Sequence, residues 1–353
     1  MSESVKIHYI IGIGRSGTSL LMSLLGAHPS IWPTPENYFA TFFAHTYTNK
    51  TEFTAKDHQL MNRFNVAFGK LQPYIGFDFQ PLPEDSTFKG TYFEWCSFIY
   101  KQFKHSTIGE KQTQLILDKN PSNTLFTFSL KKFNPEAKYI LMVRDYRANI
   151  LSRKESIHLR SGNAVFNAIR WKIFTKKALA FQAKNPDNVI VVRYEDLILQ
   201  TDKELERIFN FFGISNMLSE ELREIERKSY EAYLNNPLFA DNERIKKKYG
   251  DLAKPIFNNR VEKWKTNLTS TEIENTELIC GKTGQLLGYH ESTSVTSSQK
   301  ILRKLSFIPK YLKIQFTFFK DSLFYYLTIT FKVRKFEEYV EHIRKTKRNE
   351  MDI

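Results

Sequence analysis

The chain of 353 residues has only two cysteines, Cys96 and Cys280. Two are too few for a disulfide framework, and a reducing compartment is the default. Neither sits in a C-x-x-C spacing, which sets aside a structural zinc site. No stretch reaches 18 uninterrupted apolar residues, so no membrane span is expected. The opening VKIHYIIGIG lacks an apolar signal region with a small-residue cleavage site, and a cytoplasmic location is expected. No internal repeat is present. Acidic residues are in deficit: 38 Asp/Glu face 52 Lys/Arg, a formal charge of +14. Such an excess suits anionic ligands, nucleic acid or a membrane surface. No RNA- or DNA-binding motif accompanies it, so nucleic acid is not an expected partner.

One more absence carries the functional reading. Residues 12 to 19 read GIGRSGTS, the frame of a phosphate-binding P-loop, G-x-x-x-x-G-K-[ST], but Thr18 stands where the lysine should be. That lysine serves the β- and γ-phosphates of a nucleoside triphosphate. No convincing acidic Mg²⁺ partner closes an apolar strand either. Asp118 is a weak candidate because Lys119 follows it. Triphosphate chemistry needs that metal to neutralise charge, so ATP and GTP are disfavoured and no metal is expected.

What the loop has is three glycines, three hydroxyls and Arg15 within eight residues. Its context also fits. Ile7–Ile13 is a short apolar run rich in β-branched residues and reads as a buried strand. The segment from Gly17 to Ala27 has helical spacing. Strand, Gly-rich turn and helix together present backbone N–H groups and a helix N-terminus to an anion. Arg15 supplies a forked cation suited to phosphate or sulfate.

An apolar fraction of 41% and 30 Phe can fill a large core. Further strands are predicted at Leu115–Asp118, Tyr139–Val143 and Val189–Arg193, and helices at Tyr146–Ile157, Asn163–Lys184 and Asp202–Phe212. Alternation of this kind predicts an α/β fold, a P-loop-type parallel sheet flanked by helices. Residues 37–113 interrupt the rhythm between the first two predicted strands and are dense in aromatics, among them Phe39, Phe42, Phe43, Tyr47, Phe64, Phe68, Tyr92 and Trp95. Such an insertion is a natural place for acceptor specificity, although core packing is the commonest use of each ring. The Ser/Thr-rich stretch 291–299 reads as a linker between a catalytic domain, 1–290, and a basic extension, 300–353.

GRSGTSLLMSLLGAHPSI, at 14 to 31, resembles the 5′-phosphosulfate loop of the sulfotransferases that use 3′-phosphoadenosine 5′-phosphosulfate (PAPS). YILMVRDYRANILSRKES, at 139 to 156, resembles that family's 3′-phosphate site: an apolar strand, Arg-Asp, and a helix with Ser eight residues after the Arg. VVRYEDLI at 191 to 198 and DKNP at 118 to 121 resemble two further family elements, in family order. The pattern departs in two places. Tyr146 replaces the usual Pro after Arg-Asp. Pro121 stands where the cytosolic small-phenol and steroid branch has its histidine base. The tyrosylprotein and bacterial branches place a glutamate just after the first helix, and Glu36 falls there.

The resemblance implies a sulfotransferase that moves a sulfuryl group from PAPS to a hydroxyl acceptor, a glycan, a lipid-linked sugar or a small metabolite. Glu36 is the expected general base. Arg15 and Lys119 would stabilise the transferred group and the bridging oxygen. Ser16, Gly17, Thr18 and Ser19 would hold the 5′-phosphate, and Arg144 and Ser152 the 3′-phosphate. Tyr194 either touches the nucleotide or pins a turn. In 256–269 the candidates are Arg260, Lys263 and Lys265. The competing readings are a P-loop kinase or NTPase and a non-catalytic membrane-surface protein. The latter is motivated by residues 300–353, which carry thirteen Lys/Arg against six Asp/Glu. This tail reads either as a helical appendage packed on the domain or on a second subunit, or as an interfacial helix on an anionic membrane.

Overall fold

The computed structural model describes residues 5–71, 77–83, 85–105, 113–156, 163–234, 260–293 and 297–329. Its centre is a parallel sheet of β1 (Lys6–Ile11), β2 (Ile31–Pro33), β3 (Leu115–Lys119), β4 (Tyr139–Val143) and β5 (Val189–Arg193). The spatial order is β2-β3-β1-β4-β5. The chain thus builds one side of β1, then crosses to the other, which opens a crevice at the carboxyl ends of the strands. Two small antiparallel ladders, Glu52–Phe53 with Phe88–Lys89 and Phe77–Phe79 with Phe103–His105, lie in the segment between β2 and β3.

Both faces of the sheet are covered, which is why its strands are largely apolar rather than strict alternations. Ile7, Tyr9 and Ile11 of β1 and Tyr139, Leu141 and Val143 of β4 join one core with helices α2 (Phe39–Tyr47), α4 (Tyr92–Tyr100) and α7 (Ala164–Lys184). Ile10, Ile140 and Met142 point the other way, into a second core with α1 (Thr18–Ala27) and α9 (Thr201–Phe212). The remaining helices are α3 (Ala55–Leu71), α5 (Thr127–Phe133), α6 (Tyr146–Lys154), α8 (Tyr194–Leu199), α10 (Ser219–Leu234), α11 (Trp264–Asn267), α12 (Ser270–Gln285) and α13 (Ser297–Ile329).

The α/β reading holds, with corrections. β1 ends at Ile11, because the loop geometry begins at Gly12. β2 was not expected: it has three residues and ends on a proline, too little for a periodic signal. The aromatic segment therefore follows β2 and precedes β3. Its rings mostly pack on one another. Phe53 stacks on Trp95 at 4.2 Å between centroids, and Phe39, Phe42, Phe43, Phe64, Phe68, Tyr92 and Trp95 are all buried. The stretch 291–299 is not a free linker throughout. Ser292 N and Thr293 N donate to Glu277 at 2.8 and 2.9 Å, and α13 already begins at Ser297. Helix α13 runs through Pro309. Residues 330–353 lie outside the described residues.

Candidate functional site

The loop after β1 is shaped by its backbone. Gly12 has φ 133°, and a Cβ there would sit 2.2 Å from the Met142 carbonyl oxygen of β4. Gly17 has φ 90° and abuts Tyr194, whose ring a Cβ would meet at 2.5 Å. Between them Arg15 takes φ 72°, the left-handed region that non-glycine residues avoid. Such a conformation persists only when its surroundings hold it. Here Arg144 Nη1 donates to the Arg15 carbonyl at 3.2 Å, and Asn149 Nδ2 donates to the Gly14 carbonyl at 3.1 Å and the Ser16 hydroxyl at 3.0 Å. On the other side Thr124 Oγ1 accepts from Gly12 N at 2.7 Å.

Every strand of the sheet delivers one part of the site at its carboxyl end. β1 delivers the loop. β3 delivers Lys119, followed by Asn120, which caps a 3₁₀ turn, Pro121–Leu125, by accepting from Ser122 N at 3.0 Å. That turn carries Thr124 to Gly12. The segment after β2 is tied to β3 twice: Thr34 N donates to the Leu117 carbonyl at 3.2 Å, and Asn120 Nδ2 to the Asn37 carbonyl at 2.9 Å. Glu36 lies between those ties, and its carboxylate accepts a hydrogen bond from Lys119 Nζ. Lys119 is nearly enclosed, 7% exposed, while Glu36 keeps 32% of its side chain open. Lys119 Nζ also lies 3.3 Å from Ser19 Oγ.

Beyond β4, Asp145 caps α6 by accepting from Arg147 N at 2.8 Å, so the helix starts without the proline that Tyr146 replaces. Tyr146 is buried edge-on against Trp171. α6 then places Asn149 and Ser152 three residues apart, on one face. Arg15 Nε donates to Ser152 Oγ at 3.2 Å, which joins the first loop to the second motif. Arg144 is buried, and desolvation lowers its pKa from the ordinary arginine value. Its guanidinium lies 4.2 Å from the ring centroid of Tyr194, the first residue after β5. Its Nη2 donates to the Arg260 carbonyl at 2.9 Å, and its Nε is buried with no hydrogen-bond partner among the described residues.

Of the residues singled out in the sequence, the structure brings together Arg15, Ser16, Gly17, Thr18, Ser19, Glu36, Lys119, Arg144, Ser152, Tyr194 and the backbone of Arg260. Ser16 and Thr18 are buried, so Ser19 offers the more open hydroxyl. Lys263 and Lys265 instead pair with Glu155 and Glu262. Sequence reasoning missed Asn149 and Thr124, which brace the loop together with Arg144. The only signal for Asn149 was a polar residue three before Ser152 on the same helical face.

Asp118 is fully enclosed, accepting from Tyr100 OH at 2.6 Å and from Asn123 Nδ2 at 3.1 Å. Alternation along β3 sends it away from Lys119. Burial pushes its carboxyl up to about 7, against the two hydrogen bonds that favour the charged form. The folded chain therefore keeps a proton that the unfolded chain releases near the ordinary value of 3.8. The stabilisation is fully present below that value and is lost as pH rises towards 7, at a slope of at most about 1.4 kcal/mol per pH unit. Asp118→Asn is expected to flatten the fall in urea midpoint between pH 4 and pH 7. An unchanged fall would show that Asp118 is not its source.

Among the described residues no group of three or more His, Cys, Asp or Glu is placed to hold a metal ion. No described helix is long and apolar enough to cross a membrane.

Fold and site together are those of an α/β protein with a lysine-free P-loop at the head of a parallel sheet, the loop carrying Arg15 and flanked by Arg144 and Lys119. The profile of the sulfotransferase family matches residues 9–218, more than half of the chain, and the chain belongs to that family. Nodulation protein NoeE of Sinorhizobium fredii (strain NBRC 101917 / NGR234) is 26% identical over 310 residues, 81% of this chain and 66% of NoeE. A candidate protein-tyrosine sulfotransferase of Caenorhabditis briggsae is 24% identical over 223 residues, 61% of this chain and 68% of the relative. The chain thus spans about two thirds of the length of each. Among solved structures, the sulfotransferase domain of the Synechococcus PCC 7002 olefin synthase aligns over 78% of this chain and 96% of its own, with 19% identity and a TM-score of 0.48.

Proposed function

We infer that this chain transfers a sulfuryl group from PAPS to the hydroxyl of an acceptor. The observation that carries the reading is the meeting of the two motifs: Arg15 of the lysine-free loop reaches Ser152, while Arg144 holds the Arg15 carbonyl. A donor with a phosphate at each end of its ribose has use for both motifs. In this reading the loop amides from Ser16 to Ser19 hold the 5′-phosphate at the start of α1. Ser152 and the N–H groups that Arg144 has left hold the 3′-phosphate.

Transfer is an in-line displacement. Glu36 takes the proton of the acceptor hydroxyl, whose oxygen bonds to sulfur. The bond from sulfur to the 5′-phosphate oxygen breaks, leaving a sulfate ester and 3′,5′-ADP. Lys119 and Arg15 face the bridging oxygen, where negative charge grows on the leaving phosphate. Tyr194 acts as the floor under Arg144. Tyr38, whose hydroxyl lies 3.2 Å from Ser122 Oγ just past Lys119, is the aromatic of the insertion best placed to meet an acceptor.

The test is a pair of calorimetric titrations with 3′,5′-ADP and ATP, followed by a screen of hydroxyl acceptors with labelled PAPS. Tighter binding of 3′,5′-ADP without Mg²⁺ and label transfer to one acceptor class are expected. Tighter, Mg²⁺-dependent binding of ATP would overturn the reading in favour of a kinase or NTPase.

A further inference from the structure

Helix α13 presents two different faces. One is docked: Ile314 is buried in the main core, Phe307 packs against it, and Arg303 pairs with Glu274 of α12. The other is exposed and apolar. Leu302, Leu305, Ile308, Leu312, Phe316 and Phe319 are each between 48% and 69% open. Their spacing of three or four residues winds them into one stripe on a helix, about 26 Å long at 1.5 Å per residue. At 100° per residue the stripe lies nearly opposite the docked side chains. A continuous exposed apolar stripe of this size on a surface helix marks an interaction site.

The charges beside the stripe choose the partner. Lys304 flanks one edge, and Lys313 and Lys320 the other, all exposed. No Asp or Glu occurs between Glu291 and Asp321. A second copy would bring the same stripe with the same lysine rims, and Asp321 is the one acidic residue of its α13 to offset them. A surface of apolar depth below and negative charge above matches both the stripe and its rims.

We propose that α13 seats this enzyme on an anionic bilayer surface, with the stripe from Leu302 to Phe319 buried among the acyl chains and the flanking lysines at the headgroups. The lysines hold the helix in the interface rather than across it.

The test uses the full chain and vesicles of phosphatidylcholine with and without phosphatidylserine. The intact chain is expected to sediment with the serine-containing vesicles at low salt and to be released as salt rises, because such attraction is screened. The double variant Leu312→Glu, Phe316→Glu keeps both sites solvent-exposed and keeps every lysine. It is expected to lose vesicle binding at least tenfold and to bind 3′,5′-ADP as the parent does. Retained nucleotide binding separates failure of this proposal from misfolding, and neither readout depends on catalysis. The proposal falls if the intact chain ignores anionic vesicles at low salt, or if the double variant binds them equally well. It also falls if the variant merely converts a dimer to a monomer, which would make the stripe a self-association face.

Discussion

Glu36→Gln is expected to cut turnover by a factor of about 10² or more while leaving 3′,5′-ADP affinity nearly intact. The amide keeps the shape of the carboxylate but cannot take a proton from the acceptor. Glu36 draws support from its setting for the proposed role of base. It is held between Thr34 and Asn37, both tied to β3, and its carboxylate is partly open beside an enclosed lysine. Lys119 would lose an ionic partner in the variant. Its own effect should therefore be separated by comparing Glu36→Gln with Glu36→Asp, which retains the charge on a shorter arm. Turnover is measured under single-turnover conditions with the acceptor found by the PAPS screen. If Glu36→Gln retains turnover within a few-fold, the proton goes elsewhere.

The second large effect is expected at Arg144. Each charge-assisted hydrogen bond to a phosphate contributes roughly 1.5–3 kcal/mol, so losing one costs tenfold or more in affinity. Arg144→Ala should weaken 3′,5′-ADP at least tenfold and 5′-AMP far less, measured by calorimetry. The residue also braces the loop through the Arg15 carbonyl, and that part of its role would weaken both nucleotides together. The informative quantity is the ratio of the two losses. Equal losses would make Arg144 a brace alone and remove it from the 3′-phosphate site.

Much of this arrangement was legible before the structure, for a physical reason. A strand covered on both faces reads as a short, largely apolar run: β4 is YILMV throughout, and β1, β3 and β5 each hold an apolar stretch interrupted or ended by one or two polar residues. Their carboxyl ends carry the residues that chemistry would single out. β2 was illegible, because three residues ending in Pro33 have no period to detect. The braces were illegible for another reason. Thr124 and Asn149 act on backbone groups more than 100 positions away, a relation that only the sheet order creates. The insertion was half legible. Its aromatic density was evident, but whether a ring faces a ligand or a neighbouring ring is decided by packing, and most rings here face each other.

Asp118 and Lys119 are neighbours in β3 that point to opposite sides, paired in register with Tyr9 and Ile10 of β1. A strand that slipped by one residue would exchange them. The carboxylate would then stand beside the loop after β1, where Lys119 now stands, and an unpaired ammonium would enter the core. Strand alignment in this sheet therefore sets the sign of the field in the crevice as well as the packing beneath it. The Tyr100 and Asn123 hydrogen bonds to Asp118, with the Thr124 clasp on Gly12, act as a catch against that inversion. A one-residue deletion just before Leu115 would threaten the polarity of the site even where the sheet could still re-form.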